Sequence, residues 1–304
     1  MTLQKSISPR AWFELLALAV IWGGSFLSNR VALAEVGVFT LVAFRVTGAL
    51  VVLWAYVLLK RLAIPRSAPI WAALLLMGVL NNVIPFTLIV WGQQHIESGL
   101  ASILNASTAV FGALFASLAF ADERLTPTKA AGIALGFVGM ATAIGLSTLS
   151  HLDLTSLGQL AVVASSISYA AAATFARKVL RGLPPQMLAA GMLTGSALTM
   201  LPLAGWIEGA PALTFSAPTW AALTYLSLIA TALAYLLYYR VLAMAGAGNL
   251  LLVTLLVAPV AVLLGALVFQ EAIGASGYIG FALLATGLIL IDGRILKPRS
   301  SPVA

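Results

Sequence analysis

The chain has 304 residues, of which 62% are hydrophobic and only 8% charged, with a mean hydropathy of +1.06. Soluble domains carry about 25% charged residues, so this composition excludes an ordinary soluble fold. The absence of cysteine excludes disulfides, thiolate metal sites and thiol nucleophiles, and the formal charge of +7 is spread in a way that argues against nucleic acid.

No Asp, Glu, Lys, Arg or His falls in ten stretches: 15–29, 46–59, 67–94, 98–121, 130–150, 154–176, 182–207, 209–239, 241–270 and 272–291. A hydrocarbon core of about 30 Å needs roughly 20 apolar residues as a helix. Lipid admits only helices and closed barrels, because every backbone N–H and C=O must be satisfied internally. The runs are continuous rather than alternating, so they predict helices. The first follows Lys5 and Arg10 but is too long for a cleaved signal sequence and reads as a retained span. The second extends back through Gly37–Arg45. The third holds Asn81 and Asn82 at its centre, with Pro85 one turn on. The fourth brings Asn105, Ser107 and Thr108. Thr126 and Pro127 predict an N-cap and first residue for the fifth. The sixth brings Ser165, Ser166, Ser168 and Tyr169. The eighth brings Thr231 and Tyr235, with Tyr238 and Tyr239 nearer its inner end, and the ninth brings Thr254 and Pro259. The tail after Asp292 is rich in Pro, Ser and basic residues and is expected to be disordered.

With the N-terminus in the cytoplasm, fourteen of the sixteen basic residues fall on the inner side, leaving Arg30 outside and Arg45 within a span. The positive-inside rule makes this an orientation signal, with both termini cytoplasmic. Outer loops carry Glu35, Glu97, Asp153, Glu208 and Glu271. The basic excess thus serves topology and contact with anionic lipid at the inner face. Nucleic acid is not an expected partner.

A shift of 147 or 148 residues brings features into register. Thr47-Gly48 meets Thr194-Gly195, Arg30 meets Arg177, Asp122-Glu123 meets Gln270-Glu271, and Gly132 and Gly139 meet Gly280 and Gly287. Two repeats are expected, 1–150 and 151–304. Five spans in each repeat give them inverted topology, the architecture of secondary transporters with a site near the midplane.

Ile21-Trp22-Gly23-Gly24-Ser25-Phe26 resembles the first-helix signature of EamA-type members of the drug/metabolite transporter superfamily. Phe44-Arg45 resembles their second-span pair. Asp122-Glu123-Arg124-Leu125-Thr126 with Gly132 and Gly139 resembles their E-x-L-T…G…G element, and Gln270-Glu271-Ala272-Ile273 with Gly280 and Gly287 its second copy. Tyr169-Ala170-Ala171 departs from the Trp-Gly element in the second half. The resemblance implies an all-α membrane protein of ten transmembrane helices in two inverted five-helix repeats. It also implies export of small metabolites, and length and aromatic content resemble the YddG-like amino-acid exporters in that superfamily.

Candidate substrate-binding residues are Trp22, Asn81, Asn82, Asn105, Ser168, Tyr169, Tyr235 and Thr254, because polar groups at mid-depth face a bundle interior or a wet cavity. The bland alternative for the amides and hydroxyls is helix–helix hydrogen bonding. Asn81 and Asn82, about 100° apart on an α-helix, are not expected to face one cavity. Arg45 either snorkels to the outer surface or serves as a gate or pairs with a substrate carboxylate. Glu14 is the one candidate proton site, beside Arg10 and Trp12 near the inner interface. Glu123 and Glu271 read as fold residues. Gly132-x-x-x-Gly136 suits a close helix contact, within the chain or across a dimer, so monomer and homodimer both stand.

His95 and His151 lack companions at metal spacing, and no hydrolase, zinc-protease or P-loop motif occurs. No enzyme activity and no cofactor are expected. The leading expectation is an inner-membrane exporter of small amphipathic metabolites, most of all aromatic or hydrophobic amino acids, working by uncoupled alternating access. A proton-coupled multidrug antiporter for lipophilic cations and a non-transporting assembly partner are the alternatives.

Overall fold

The structure, a computed structural model, describes residues 8–121, 125–144, 154–180, 182–245 and 252–292. The family-like residues Asp122, Glu123 and Arg124, His151, and the basic tail lie outside the described residues. Every regular element among the described residues is helical. In chain order these are α1 (Pro9–Ala32), α2 (Val38–Leu59), α3 (Ala68–Gly78), a π-helical segment (Val79–Val83), α4 (Ile84–Gly92), α5 (Ser98–Asn105) and α6 (Thr108–Ala119). There follow α7 (Pro127–Ile144), α8 (Leu154–Val179), α9 (Pro185–Ile207), α10 (Ala217–Thr224), a second π segment (Tyr225–Leu233), α11 (Ala234–Ala245), α12 (Leu252–Phe269) and α13 (Ala275–Asp292).

Among the described residues, seven helical stretches are long and apolar enough to cross a membrane: Pro9–Ala32, Val38–Leu59, Ala68–Gly92, Ser98–Ala119, Thr155–Val179, Pro185–Ile207 and Ala217–Val241. Leu256–Phe269 and Ala275–Ile291 are shorter apolar helices. Phe13, Leu59, Trp206 and Leu267 stand exposed on the outside of the bundle, as lipid contact requires.

Local sequence explains the helix starts. Ser8 caps α1 by accepting from the Ala11 N–H at 3.2 Å, and Thr126 accepts from the Lys129 N–H at 3.2 Å ahead of Pro127. Between α5 and α6 the helix breaks without proline. There Ser107 donates to the Leu104 carbonyl at 2.6 Å and Thr108 to the Asn105 carbonyl at 2.7 Å. Such hydroxyls compete with the backbone ladder.

The most extensive helix contact among the described residues is α7 against α13. A Cβ on Gly139 would lie 2.6 Å from the Leu284 nitrogen, and one on Gly287 2.6 Å from the Gly132 carbonyl oxygen. Gly132 and Gly139 are thus spent on contact within the chain, and Gly136 faces Val110. Likewise α2 packs on α9, α1 on α12, and α4 and α6 on α8. Each of these pairs joins a helix before residue 150 to one after it.

Two apolar cores result. One gathers Leu41, Leu53, Leu74, Met192, Met200 and Leu226, and the other Leu15, Leu18, Ile103, Leu104, Val162 and Leu284. Ile21 and Tyr169 pack against both. The seam between the cores is where the polar residues meet.

Candidate functional site

Both π segments sit mid-helix, and shifting 79–83 by 147 residues lands on 226–230, inside the second segment. A π turn leaves carbonyls off the α ladder and is frequent at functional sites. Pro85 has no N–H to offer the preceding turn. The Leu80 carbonyl instead accepts from Ser168 Oγ at 2.7 Å. In the second segment the Ala230 carbonyl accepts from Trp22 Nε1 at 3.2 Å, and the Leu226 carbonyl from Thr231 Oγ1 at 2.8 Å. The π segments therefore tie α1 and α8 to the seam through backbone oxygens.

The centre of the seam is a side-chain network. Tyr235 donates its hydroxyl to Asn82 Oδ1 at 2.6 Å, and Asn82 Nδ2 donates to Ser196 Oγ at 2.9 Å. Asn81 Nδ2 reaches Tyr235 Oη at 3.3 Å and Asn82 Oδ1 at 3.4 Å. The two adjacent amides are joined through the Tyr235 hydroxyl, which both of them reach. Asn82 is fully buried, whereas Asn81 is half-buried. Trp22 packs its ring on Tyr238, centroids 5.9 Å apart, and Tyr238 on Tyr239 at 5.3 Å. Tyr238 and Tyr239 thus continue the aromatic face that begins at Trp22.

Arg45 does not snorkel. It is 6% exposed, its Nε donates to Thr231 Oγ1 at 2.9 Å, and its guanidinium carbon lies 3.8 Å from the Phe86 ring centre. Tyr169, Tyr225 and Tyr235 are within its electrostatic reach. Trp22, Asn81, Asn82, Ser168, Tyr169, Tyr235 and Arg45 therefore gather along the seam. Asn105 lies at the α5–α6 break, its Oδ1 buried without a partner among the described residues and its carbonyl accepting from Ser166 at 3.4 Å. Thr254 is half-buried on α12.

Glu14 sits at the other end of α1, 5% exposed, with one oxygen held by Arg10 at 3.3 Å and by Arg240. The carboxylate is thus arginine-paired, as its neighbours suggested, and Arg240 is the partner that sequence reading missed.

At the end expected to face outward, four glutamates cross between halves. Glu208 accepts from the Phe39 and Thr40 amides at 3.0 and 2.8 Å, capping α2. Gly37 makes this possible, since a Cβ there would lie 2.3 Å from the Glu208 carboxyl carbon. Glu271 accepts from the Ser98 and Gly99 amides at 3.2 and 3.1 Å, capping α5, and pairs with Arg30. Glu35 accepts from the Ser216 amide at 2.8 Å, ahead of α10. Hydrogen bonds from Ser216 hold the Glu35 carboxyl below its ordinary range. Burial, and then the Glu271 charge, push the Glu97 carboxyl up, while the Arg30 charge and then the Ala272 amide oppose the shift. Carboxylates at helix N-termini satisfy orphan N–H groups and complement the helix dipole. Glu271 is a fold residue, as its sequence context suggested.

The EamA-like transporter family is matched by residues 11–145 and again by residues 156–292. An uncharacterised transporter of Archaeoglobus fulgidus is 28% identical over 75% of this chain and 78% of its own length. A probable terminal-alkyne amino-acid exporter of Streptantibioticus cattleyicolor is 34% identical, but over 44% of each chain. A solved crystal structure shares the fold with a TM-score of 0.68 at 19% identity, covering 94% of this chain and 97% of that one.

Proposed function

This chain belongs to the EamA-like transporter family, and on that premise we propose that it exports small amphipathic metabolites, aromatic and hydrophobic amino acids foremost. The observation that carries the proposal is the seam cluster, in which the Asn81–Asn82–Tyr235 network lies beside Trp22 and Arg45 at matching breaks in two helices. Amides and phenols orient a polar head, and the Trp22–Tyr238 face suits an apolar or aromatic side chain. The partial similarity to a probable amino-acid exporter supports the same substrate class.

The mechanism proposed is alternating access by rocking of two inverted five-helix repeats, each spanning the membrane five times, with both termini on the cytoplasmic side. The two family matches and the matching π segments support it. In this arrangement the glutamate caps hold the outer end together while the seam waits between states. Transport is uncoupled. Proton exchange needs an acid that titrates at mid-depth, and Glu14 is clamped by Arg10 and Arg240 at the opposite end of its helix.

The test is exchange in proteoliposomes loaded with phenylalanine. External labelled phenylalanine should enter by exchange without accumulating when a pH gradient is imposed. Accumulation driven by pH in the wild type and lost in Glu14→Gln would replace uncoupled transport with proton antiport. A protein that exchanges no amino acid would sink the exporter reading.

A further inference from the structure

We propose that the Arg45 guanidinium is a carboxylate-binding site, and that the carboxylate, not the ammonium, is what the transporter requires of its substrate. The proposal rests on the transport reading above and names the substrate class for the same seam.

Arg45 lies about two turns into α2 and is 6% exposed. Thr231 holds its Nε at 2.9 Å, and Phe86 covers its face at 3.8 Å. These two contacts fix the plane of the guanidinium, and among the described residues its two terminal amines have no hydrogen-bond acceptor. Among the described residues no carboxylate pairs with it. The buried carboxylates do have countercharges: one oxygen of Glu14 pairs with Arg10 and Arg240, and Glu271 pairs with Arg30 and accepts from two amides. An unpaired charge removed from water costs several kcal/mol. Such groups persist inside membranes where a substrate pathway or cavity compensates them. A purely structural arginine would spend its fork on the fold, and this one spends only Nε.

The free edge of a guanidinium matches a carboxylate through two parallel hydrogen bonds. The seam supplies the rest of an amphipathic acid's needs. Thr231, which holds Arg45, follows Ala230, whose carbonyl holds Trp22, so the cation and the aromatic face are neighbours on one π segment. The groups around the guanidinium are the neutral Tyr169, Tyr225 and Tyr235. A zwitterion bound there leaves the site with the charge of Arg45 uncancelled, and a monocarboxylate leaves it neutral. An ammonium finds no anion in the seam among the described residues.

The test is competition against phenylalanine exchange in proteoliposomes. 3-Phenylpropionate, which lacks the ammonium, should compete at least as well as phenylalanine. Phenethylamine, which lacks the carboxylate, should compete about tenfold or more weakly. Arg45→Gln should lose exchange by a similar factor, and Arg45→Lys, which keeps the charge but not the fork, should fall between. Phenethylamine competing as well as 3-phenylpropionate, or Arg45→Gln exchanging like the wild type, would overturn the proposal. If Arg45→Gln does not fold, the competitor series on the wild type decides alone. If the wild type exchanges nothing, the transport reading fails, and thermal melting of the purified protein judges the site. A rise in Tm with 3-phenylpropionate and none with phenethylamine supports the carboxylate site, and no rise with 3-phenylpropionate overturns it.

Discussion

Tyr235 shows what a single polar group is worth in this bundle. Its hydroxyl donates to Asn82 and accepts from Asn81, so one atom joins the two amides of the first half to the second half. Side-chain hydrogen bonds within membranes contribute about 1 kcal/mol. Tyr235→Phe should therefore lower resistance to unfolding in SDS by about that much, while Asn82→Ala, which also removes the donor to Ser196, should cost more. Equal losses would mean that the Asn82–Ser196 bond adds nothing to stability. Glu35 gives a pH signature. Its carboxyl lies below the ordinary value of 4.5 because Ser216 donates to it. The stabilisation this provides is complete above that value and fades as the pH falls through the lowered one. Glu35→Gln should flatten the acid side of a Tm-versus-pH profile in that window, and an unchanged slope would remove Ser216 as the cause. Asn82 and Arg45 were legible as candidates because polar residues inside apolar windows are conspicuous. Tyr238 and Arg240 were not, because near a helix end an aromatic or basic residue looks interfacial.

At the scale of elements, the α7–α13 contact depends on glycine for backbone approach. A Cβ on Gly280 would lie 2.6 Å from the Ala143 nitrogen, whereas one on Gly112 meets nothing within 4 Å. Gly280→Leu should lose about 1–3 kcal/mol or more by overpacking against backbone. Gly112→Ala should hold or gain up to about 1 kcal/mol through helix propensity. Thermal melting in detergent compares the two, and a tolerated Gly280→Leu would mean that these helices separate readily. The helices themselves were readable from charge-free windows, since hydropathy is a local sum. Their interruptions were not. Pro85 marks the first π segment, but the second contains no proline, and its Ser227 and Thr231 turn back onto the Leu223 and Leu226 carbonyls.

For the whole molecule, the reciprocal glutamates join the two halves at the end expected to face outward. Glu271→Gln removes the ion pair with Arg30 and weakens the cap on α5. In this cysteine-free chain, an Ala101→Cys reporter on buried α5 should then react faster with a membrane-impermeant maleimide added outside. An unchanged rate would show that the outer end is held by other contacts. Topology has its own check: cysteines placed singly at Ser150 and Ser300 should label from opposite sides of the membrane, and same-side labelling would break the ten-span count.

The sequence by itself determined that this chain lies in a membrane, that it is helical, and which family its motifs resemble. Each of those depends on composition or on residues close in the chain. The tertiary structure decided which polar residues meet. Tyr235 and Asn82 are 153 residues apart, Arg45 and Thr231 are 186 apart, and Arg30 and Glu271 are 241 apart. Such encounters follow from the packing of α1 on α12, α2 on α9 and α7 on α13, where close glycine contacts and apolar cores set the geometry. The fork that Arg45 leaves open is a property of that packing, since any span could have carried an arginine, and only the surrounding helices determine whether it finds a partner.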